Sequence, residues 1–145
     1  MAITSAICTS FKQELLVGTH NFTATTGNTF KIALYTSSAT LGAGTTAFST
    51  TNEITNSSGT AYTSGGATLT SITPTTDSTT AVCDFNDVSF TSASFTANGC
   101  LIYNSSQSNK AVAVIAFGSD KTVTSGTFTI QFPTADATNA IIRLA

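Results

Sequence analysis

The chain has 145 residues, of which 41% are hydrophobic and only 8% are charged. This length suits one domain with its own core, and the charged fraction is about a third of the usual ~25%. Nucleic-acid binding needs clustered basic residues, but the five cations are scattered, which excludes that function: Lys12, Lys31, Lys110, Lys121 and Arg143.

The remaining surface must be rich in serine and threonine hydroxyls. Such a weakly charged surface suits a protein held among permanent neighbours, and it is equally common on secreted or cell-surface β domains. No apolar run approaches the ~18 residues of a membrane helix. The first residues, MAITSAICTSFKQELLVG, lack the pattern of a signal peptide. We therefore expect no membrane segment and synthesis in the cytosol.

Residues 1–18 form the predicted N-terminal helical segment. Between residues 4 and 17, Ile7, Phe11 and Leu15 recur at helical spacing. Thr4 or Ser5 is the predicted N-cap. The helix should end at Gly18, a residue that suits the left-handed backbone beyond a helix.

Residues 30–38, FKIALYTSS, alternate in the manner of a strand. Residues 36–66 then form a long loop excursion with many Gly, Ser and Thr residues. Loops of this length inside a compact domain are usually functional or interfacial. The hydrophobic residues Leu41, Phe48, Ile54 and Tyr62 predict that the excursion is ordered, because disordered segments contain few such residues.

Two further strand patterns follow the excursion. ATLTSITP, from Ala67, alternates and is predicted to end at Pro74. AVCDFNDVSF, from Ala81 to Phe90, is predicted to be one strand with a bulge, because its apolar residues change phase after Val82.

Residues 98–132 hold the densest apolar alternation. SFTANGCLIYN and KAVAVIAFG, joined by NSSQSN, predict a hairpin that is apolar on both faces and therefore central in a sheet. SDKTVTSG is predicted to be a turn, and TFTIQF a strand with Phe128, Ile130 and Phe132 inward. AIIRLA, from Ala140, is predicted to be a last short strand.

These patterns predict one mainly β domain spanning residues 1–145. About seven short strands with frequent turns can bury one face each as an antiparallel β-sandwich, jelly-roll-like, with one N-terminal helix.

No catalytic, cofactor or metal constellation emerges, so we do not expect an enzyme. The single histidine, His20, lies in a polar stretch and is expected at the surface. Asp77, Asp84 and Asp87 have the pattern of solvated turn carboxylates rather than a Ca²⁺ site. A Ser-His-Asp triad is assembled by the fold and leaves no sequence spacing to test.

The cysteines are expected to be small buried hydrophobic residues without disulfides: Cys8, Cys83 and Cys100. Three triplets match the glycosylation pattern, which we attribute to chance in a Ser/Thr-rich chain; they begin at Asn21, Asn56 and Asn104.

Several phrases in order resemble small structural proteins of tailed bacteriophages. They are FKIALYTSSATL, TTAFSTTNEI, GTAYTSGGATL, DFNDVSFTSASFTANGCLIYN, NKAVAVIAFGSDKTVTSGTFTIQFP and AIIRL, and the similarity extends from Phe11 onward. It carries no active-site signature.

The resemblance implies a virion protein assembled in the host cytoplasm, first of all a capsid decoration or cement protein. Such a protein would bind the major capsid protein and copies of itself, as a trimer, without nucleic acid or membrane. Alternatives are a tail, neck or baseplate component, or a surface receptor- or glycan-binding module. The interface is expected in the excursion and the N-terminal segment, at Phe11, Leu41, Phe48, Ile54 and Tyr62.

Overall fold

A computed structural model of the chain describes residues 1–55 and 61–145. Its elements are β1 (Ala6–Ile7), α1 (Thr9–Leu16), β2 (Phe30–Tyr35), β3 (Ala67–Thr68), β4 (Ser71–Asp77), β5 (Thr80–Phe85), β6 (Val88–Asn104), β7 (Lys110–Ile130) and β8 (Ile142–Leu144). A five-stranded sheet has the order β1-β7-β6-β2-β3, and a three-stranded sheet the order β4-β5-β8. All pairings within these sheets are antiparallel.

The mainly β prediction is confirmed, in a sandwich-like arrangement of two antiparallel sheets and one short helix. The two sheets share one buried cluster, since Phe85 of β5 lies against Phe30 of β2 with ring centroids 5.7 Å apart. The described residues form eight strands rather than seven. The triplet that begins at Asn56 lies outside the described residues.

The central hairpin is confirmed, and it is longer than predicted. β6 has 17 residues and β7 has 21, and residues 100–104 of β6 and 111–114 of β7 are buried on both faces. The turn predicted at SDKTVTSG is wrong, because these residues continue β7. A bulge takes its place: Ala97 pairs with Lys121 and Gly99 with Ala116, so residues 117–120 protrude from the ladder.

Two other strand predictions need correction. AVCDFNDVSF is two strands, because the chain leaves β5 at Phe85 and enters β6 in the other sheet at Val88. The change of apolar phase therefore marks a change of sheet. β4 also continues beyond Pro74, which falls at a register shift on an edge strand, where a missing N–H group disturbs no ladder.

The predicted helix is shorter at its start. α1 begins at Thr9 with Cys8 as N-cap, and no side chain caps it, so the prediction of Thr4 or Ser5 is wrong. Residues 6 and 7 instead pair with Val114 and Ala113 of β7. The predicted end is correct in kind: Gly18 has φ 77°, its N–H donates to Leu15, and Thr19 N–H donates to Glu14, which is a Schellman motif.

Candidate functional site

The N-terminal segment and the excursion lie side by side. Thr4 N–H donates to the Leu41 carbonyl at 2.9 Å, Leu41 N–H donates to Ala2 at 3.1 Å, and Thr9 N–H donates to Ala43 at 2.8 Å. Ile3 and Leu41 form a parallel bridge. The two regions in which the sequence predicts the interface therefore form one continuous surface.

This surface contains a shallow depression of about 850 Å³, called here the threonine-rich depression. The described residues that line it include no acidic or basic side chain: they are Met1, Ala2, Thr4, Tyr35, Ser38, Ala39, Thr40, Leu41, Gly42, Gly44, Thr45, Thr46, Ala47, Ser49, Thr51 and Asn52. Each hydroxyl can both donate and accept a hydrogen bond. The depression can therefore bind polar backbone or side-chain groups of a partner without desolvating a charged side chain of its own.

The described part of the excursion is fixed to the start of β7. Phe48 N–H donates to the Asn109 carbonyl at 2.9 Å, and Ala111 N–H donates to Thr46 at 3.0 Å, where β7 begins. The ring of Phe48 stacks on Tyr103 at a centroid distance of 4.6 Å. These contacts hold the depression in a defined shape before any partner binds.

Glu53 joins the two described ends of the excursion. Its Oε1 accepts from the Tyr62 hydroxyl at 2.7 Å and from Gly65 N–H at 2.6 Å, and its Oε2 accepts from Ser64 at 2.8 Å. The Tyr62 hydroxyl accepts from Leu34 N–H at 2.9 Å, which connects this cluster to β2. Burial first, and then the Glu53 carboxylate, raise the pKa of Tyr62 far above its ordinary value, so the phenol stays a donor.

The predicted interface residues occupy two different environments. Phe11, Ile54 and Tyr62 belong to the chain's own core, with 1%, 4% and 7% of their surface exposed. Leu41 and Phe48 pack against that core but keep accessible surface. The interface role stays a prediction. In this fold, the first three are largely inaccessible to a partner, while Leu41 and Phe48 reach the surface.

His20 is buried, and the prediction that it lies at the surface is wrong. Its Nε2 lies 2.8 Å from Oε2 of Glu14, and its Nδ1 lies 3.0 Å from Nδ2 of Asn104. Lys110 donates to the other Glu14 oxygen at 2.9 Å. Through these bonds α1, the loop after it, and both strands of the central hairpin meet at one polar cluster.

Backbone donors determine the hydrogen-bond directions in this cluster and the tautomer of His20. Asn21 N–H donates to Oδ1 of Asn28, so that oxygen must accept, and the Asn104 atom facing it must be the donor Nδ2. Ser106 N–H likewise requires Oδ1 on the other side of Asn104. Nδ1 of His20 is therefore an acceptor, and the ring proton is on Nε2, where it is donated to Glu14.

One residue of this cluster could be anticipated from its helical position. Glu14 lies three residues after Phe11 on the same helix face, which places a carboxylate among buried side chains. Its partners His20, Asn104 and Lys110 are far apart in the sequence, so no spacing could predict them. With both ring nitrogens of His20 hydrogen-bonded inside the fold, the cluster is suited to holding elements together.

The carboxylates Asp77, Asp84 and Asp87 accept backbone N–H groups. Their donors are Ala137, Phe85 and Phe132, at 2.7–2.8 Å. Within residues 1–55 and 61–145, no three His, Cys, Asp or Glu side chains come together in a way that could hold a metal ion. In the same described residues, no helix has the length and apolarity needed to cross a bilayer.

All three cysteines are free and buried, as predicted. Burial raises the pKa of the Cys83 and Cys100 thiols to about 12 and that of Cys8 to about 11. The thiols are therefore neutral apolar groups in the core.

Comparison of the chain with protein-family models, with curated proteins and with solved structures gave no match.

Proposed function

We propose that this protein is a structural component of a tailed-bacteriophage virion: a decoration or cement protein that binds the outside of the shell and ties capsomers together. The threonine-rich depression is the observation on which the proposal rests. In this proposal the protein binds the major capsid protein and is located in the assembled virion.

The chemistry of the depression suits a permanent contact between proteins. A buried ionic contact loses much of its Coulomb energy to desolvation of the charges. Hydroxyl and backbone groups avoid that loss, and typical interfaces contain about ten direct hydrogen bonds. The depression supplies hydroxyls of this kind from Thr40, Thr45, Thr46, Ser49 and Thr51, of which Ser49 and Thr51 also bond each other.

Its rigidity suits the same role. Ordering a loop on binding costs about 0.5–1.5 kcal/mol for each immobilised side chain. Here the hydrogen bonds of Leu41, Thr46 and Glu53 have already fixed the excursion against the N-terminal segment, β7 and β2. Little ordering therefore remains for the moment of binding.

The glycan-binding alternative would need exposed aromatic side chains, and the tyrosines do not provide them. Recognition of a sugar usually needs an exposed aromatic ring, and the chain has no tryptophan. Its three tyrosines, Tyr35, Tyr62 and Tyr103, are only 1%, 7% and 2% exposed. A tail, neck or baseplate protein could use the same depression. Only the position of the protein on the particle distinguishes these roles from the shell role.

The test is co-sedimentation of purified protein with phage shells that lack it. Thr40→Lys places a charge in the depression and should abolish binding. Thr127→Lys adds the same charge on exposed β7, outside the depression, and should bind like the unmodified protein. Equal binding of both variants would overturn the role of the depression.

Copy number in purified virions separates the alternatives. A shell protein should be present in hundreds of copies per particle, in proportion to the major capsid protein. About a dozen copies or fewer, as in a closed ring, would refute the shell role and favour the tail or neck. Absence of the protein from purified particles would refute a virion role altogether.

A further inference from the structure

The end of α1 presents a rigid apolar protrusion. Leu16 and Val17 are adjacent, and 88% and 67% of their surfaces are exposed. Large apolar side chains on a monomer surface are usually scattered singly. Here the Schellman motif at Gly18 fixes the backbone under both side chains. We call this pair the apolar knob.

An apolar groove of about 830 Å³ lies elsewhere on the surface, along β7. β7 curves so that residues 113–115, 117 and 128–130 all line it, together with β1 and residues 140–141. Its partly buried apolar walls are formed by Ile7, Ile115, Phe117, Phe128, Phe132 and Ile141. Its shape is concave and its lining suits aliphatic side chains.

The charges around the two features are complementary. Lys121 is the one charged side chain among the described residues that line the groove. The knob lies at the C-terminus of α1, the negative end of the helix dipole, and the last turn contains no basic residue. The Schellman bonds occupy the carbonyls of Glu14 and Leu15. The carbonyls of Leu16 and Val17 lie beyond these bonds, so the Lys121 cation of the groove would meet their negative partial charge beside the knob.

Edge-to-edge pairing of β7 with another strand is a weaker alternative for this face. β1 pairs with Ala113 and Val114 of the β7 edge, and the neighbouring backbone groups of Val112 and Ala116 bond Cys8 N–H and the Ser5 hydroxyl. Beyond them, the bulge at residues 117–120 interrupts the edge, and Lys121 follows it. Bulges and lysines are the devices that keep edge strands from pairing. The side chains of the groove, rather than the β7 backbone, are therefore the available contact.

We propose that the groove binds a second copy of this chain, which inserts Leu16 and Val17 while Lys121 lies against the end of α1. The contact is head-to-tail, so repetition gives a ring or a filament. A net charge of −2 opposes it little. The contact area is small, which places the association in the weak, concentration-dependent class. The inference does not depend on the virion role.

The experiment is sedimentation velocity over a concentration series with three proteins: unmodified, knob variant (Leu16→Ser with Val17→Ser), and groove variant (Phe128→Ser). The mass of the unmodified protein should rise with concentration. Each variant alone should associate at least tenfold more weakly. An equimolar mixture of the two variants should form a dimer and nothing larger. The groove variant supplies an intact knob and the knob variant an intact groove, and the dimer's other knob and groove are both altered.

Two further variants control the result. Ile72→Ser removes a different exposed aliphatic side chain (41% exposed) and should associate like the unmodified protein. Lys121→Glu leaves the core untouched, so it tests the groove even if Phe128→Ser fails to fold; it should weaken association severalfold. A monomeric unmodified protein at all concentrations, unchanged association of the knob variant, or a monomeric mixture would each overturn the proposal.

Discussion

His20 donates from Nε2 to Oε2 of Glu14 across 2.8 Å, and the side chain of His20 has no exposed surface. Lys110 completes the carboxylate's partners, but 40% of its side chain is in contact with solvent. The two hydrogen bonds to Glu14 are of nearly equal length. Their contributions to stability should differ greatly, because only the His20 bond is shielded from water.

Replacing each donor tests this difference. His20→Leu removes the buried partner of Glu14 and one of the partners of Asn104, and should lower the free energy of unfolding by about 2–4 kcal/mol. Lys110→Met removes a partly solvated pair and should cost about 0–1 kcal/mol. Urea denaturation measures both. Similar losses in the two variants would contradict the assignment of the buried bond as the main one.

Acid should weaken the fold through Glu14. Burial by itself would raise the pKa of this carboxyl, but the hydrogen bonds from His20 and Lys110 outweigh burial and hold it below its ordinary value. A carboxyl with a lowered folded-state pKa contributes stability above its unfolded pKa of about 4.3, and this contribution is lost as pH falls through the folded value. Unfolding free energies of unmodified protein and Glu14→Gln should therefore converge below about pH 4. A constant difference between them from pH 7 to pH 3 would exclude this linkage.

The three thiols should be protected from modification. Only the thiolate reacts, and burial raises the pKa of each thiol to about 11 or 12. With a chromogenic disulfide reagent at pH 8, we expect no labelling of the native protein and labelling of three thiols in denaturant. Rapid labelling of one thiol without denaturant would show that its part of the core opens locally.

Gly66 should tolerate no side chain. Its φ is 78°, and a Cβ atom there would collide with the Ile32 carbonyl of β2. Gly66→Ala should therefore cost about 3 kcal/mol or more, or prevent soluble folding. At Gly44 a Cβ would meet nothing within 4 Å, so Gly44→Ala should stay within about 0.5 kcal/mol of the unmodified protein. Thermal melts compare the two; equal midpoints would argue against the close approach at Gly66.

Alternation of apolar residues was enough to predict the central hairpin, because the pattern from Cys100 to Val114 reflects burial on both faces. The exposed half of β7 could not be predicted in this way. There the chain reads SDKTVTSG, and its strand geometry comes from pairing with β6, as in Thr96 with Thr122, rather than from its own apolar pattern.

Residues distant in sequence account for the other differences. Ala6 and Ile7 carry a helical pattern but form β1, because β7 offers them backbone partners. His20 stands in a polar stretch and is buried by Glu14 and Asn104, which no local pattern connects to it. The sequence predicted the N-terminal segment and the excursion as two separate interface regions. It did not predict that they join into one surface.

The pairing of β1 with β7 also constrains how the chain is made. Ala6 and Ile7 leave the ribosome more than 100 residues before their partners Val114 and Ala113. β2 likewise waits for Leu101 and Ile102 of β6. Among the described residues, the hairpin of β6 and β7 is the largest strand pairing, and it is local in sequence. We therefore expect nascent chains to stay unfolded until this hairpin leaves the exit tunnel, and then to fold in one late step.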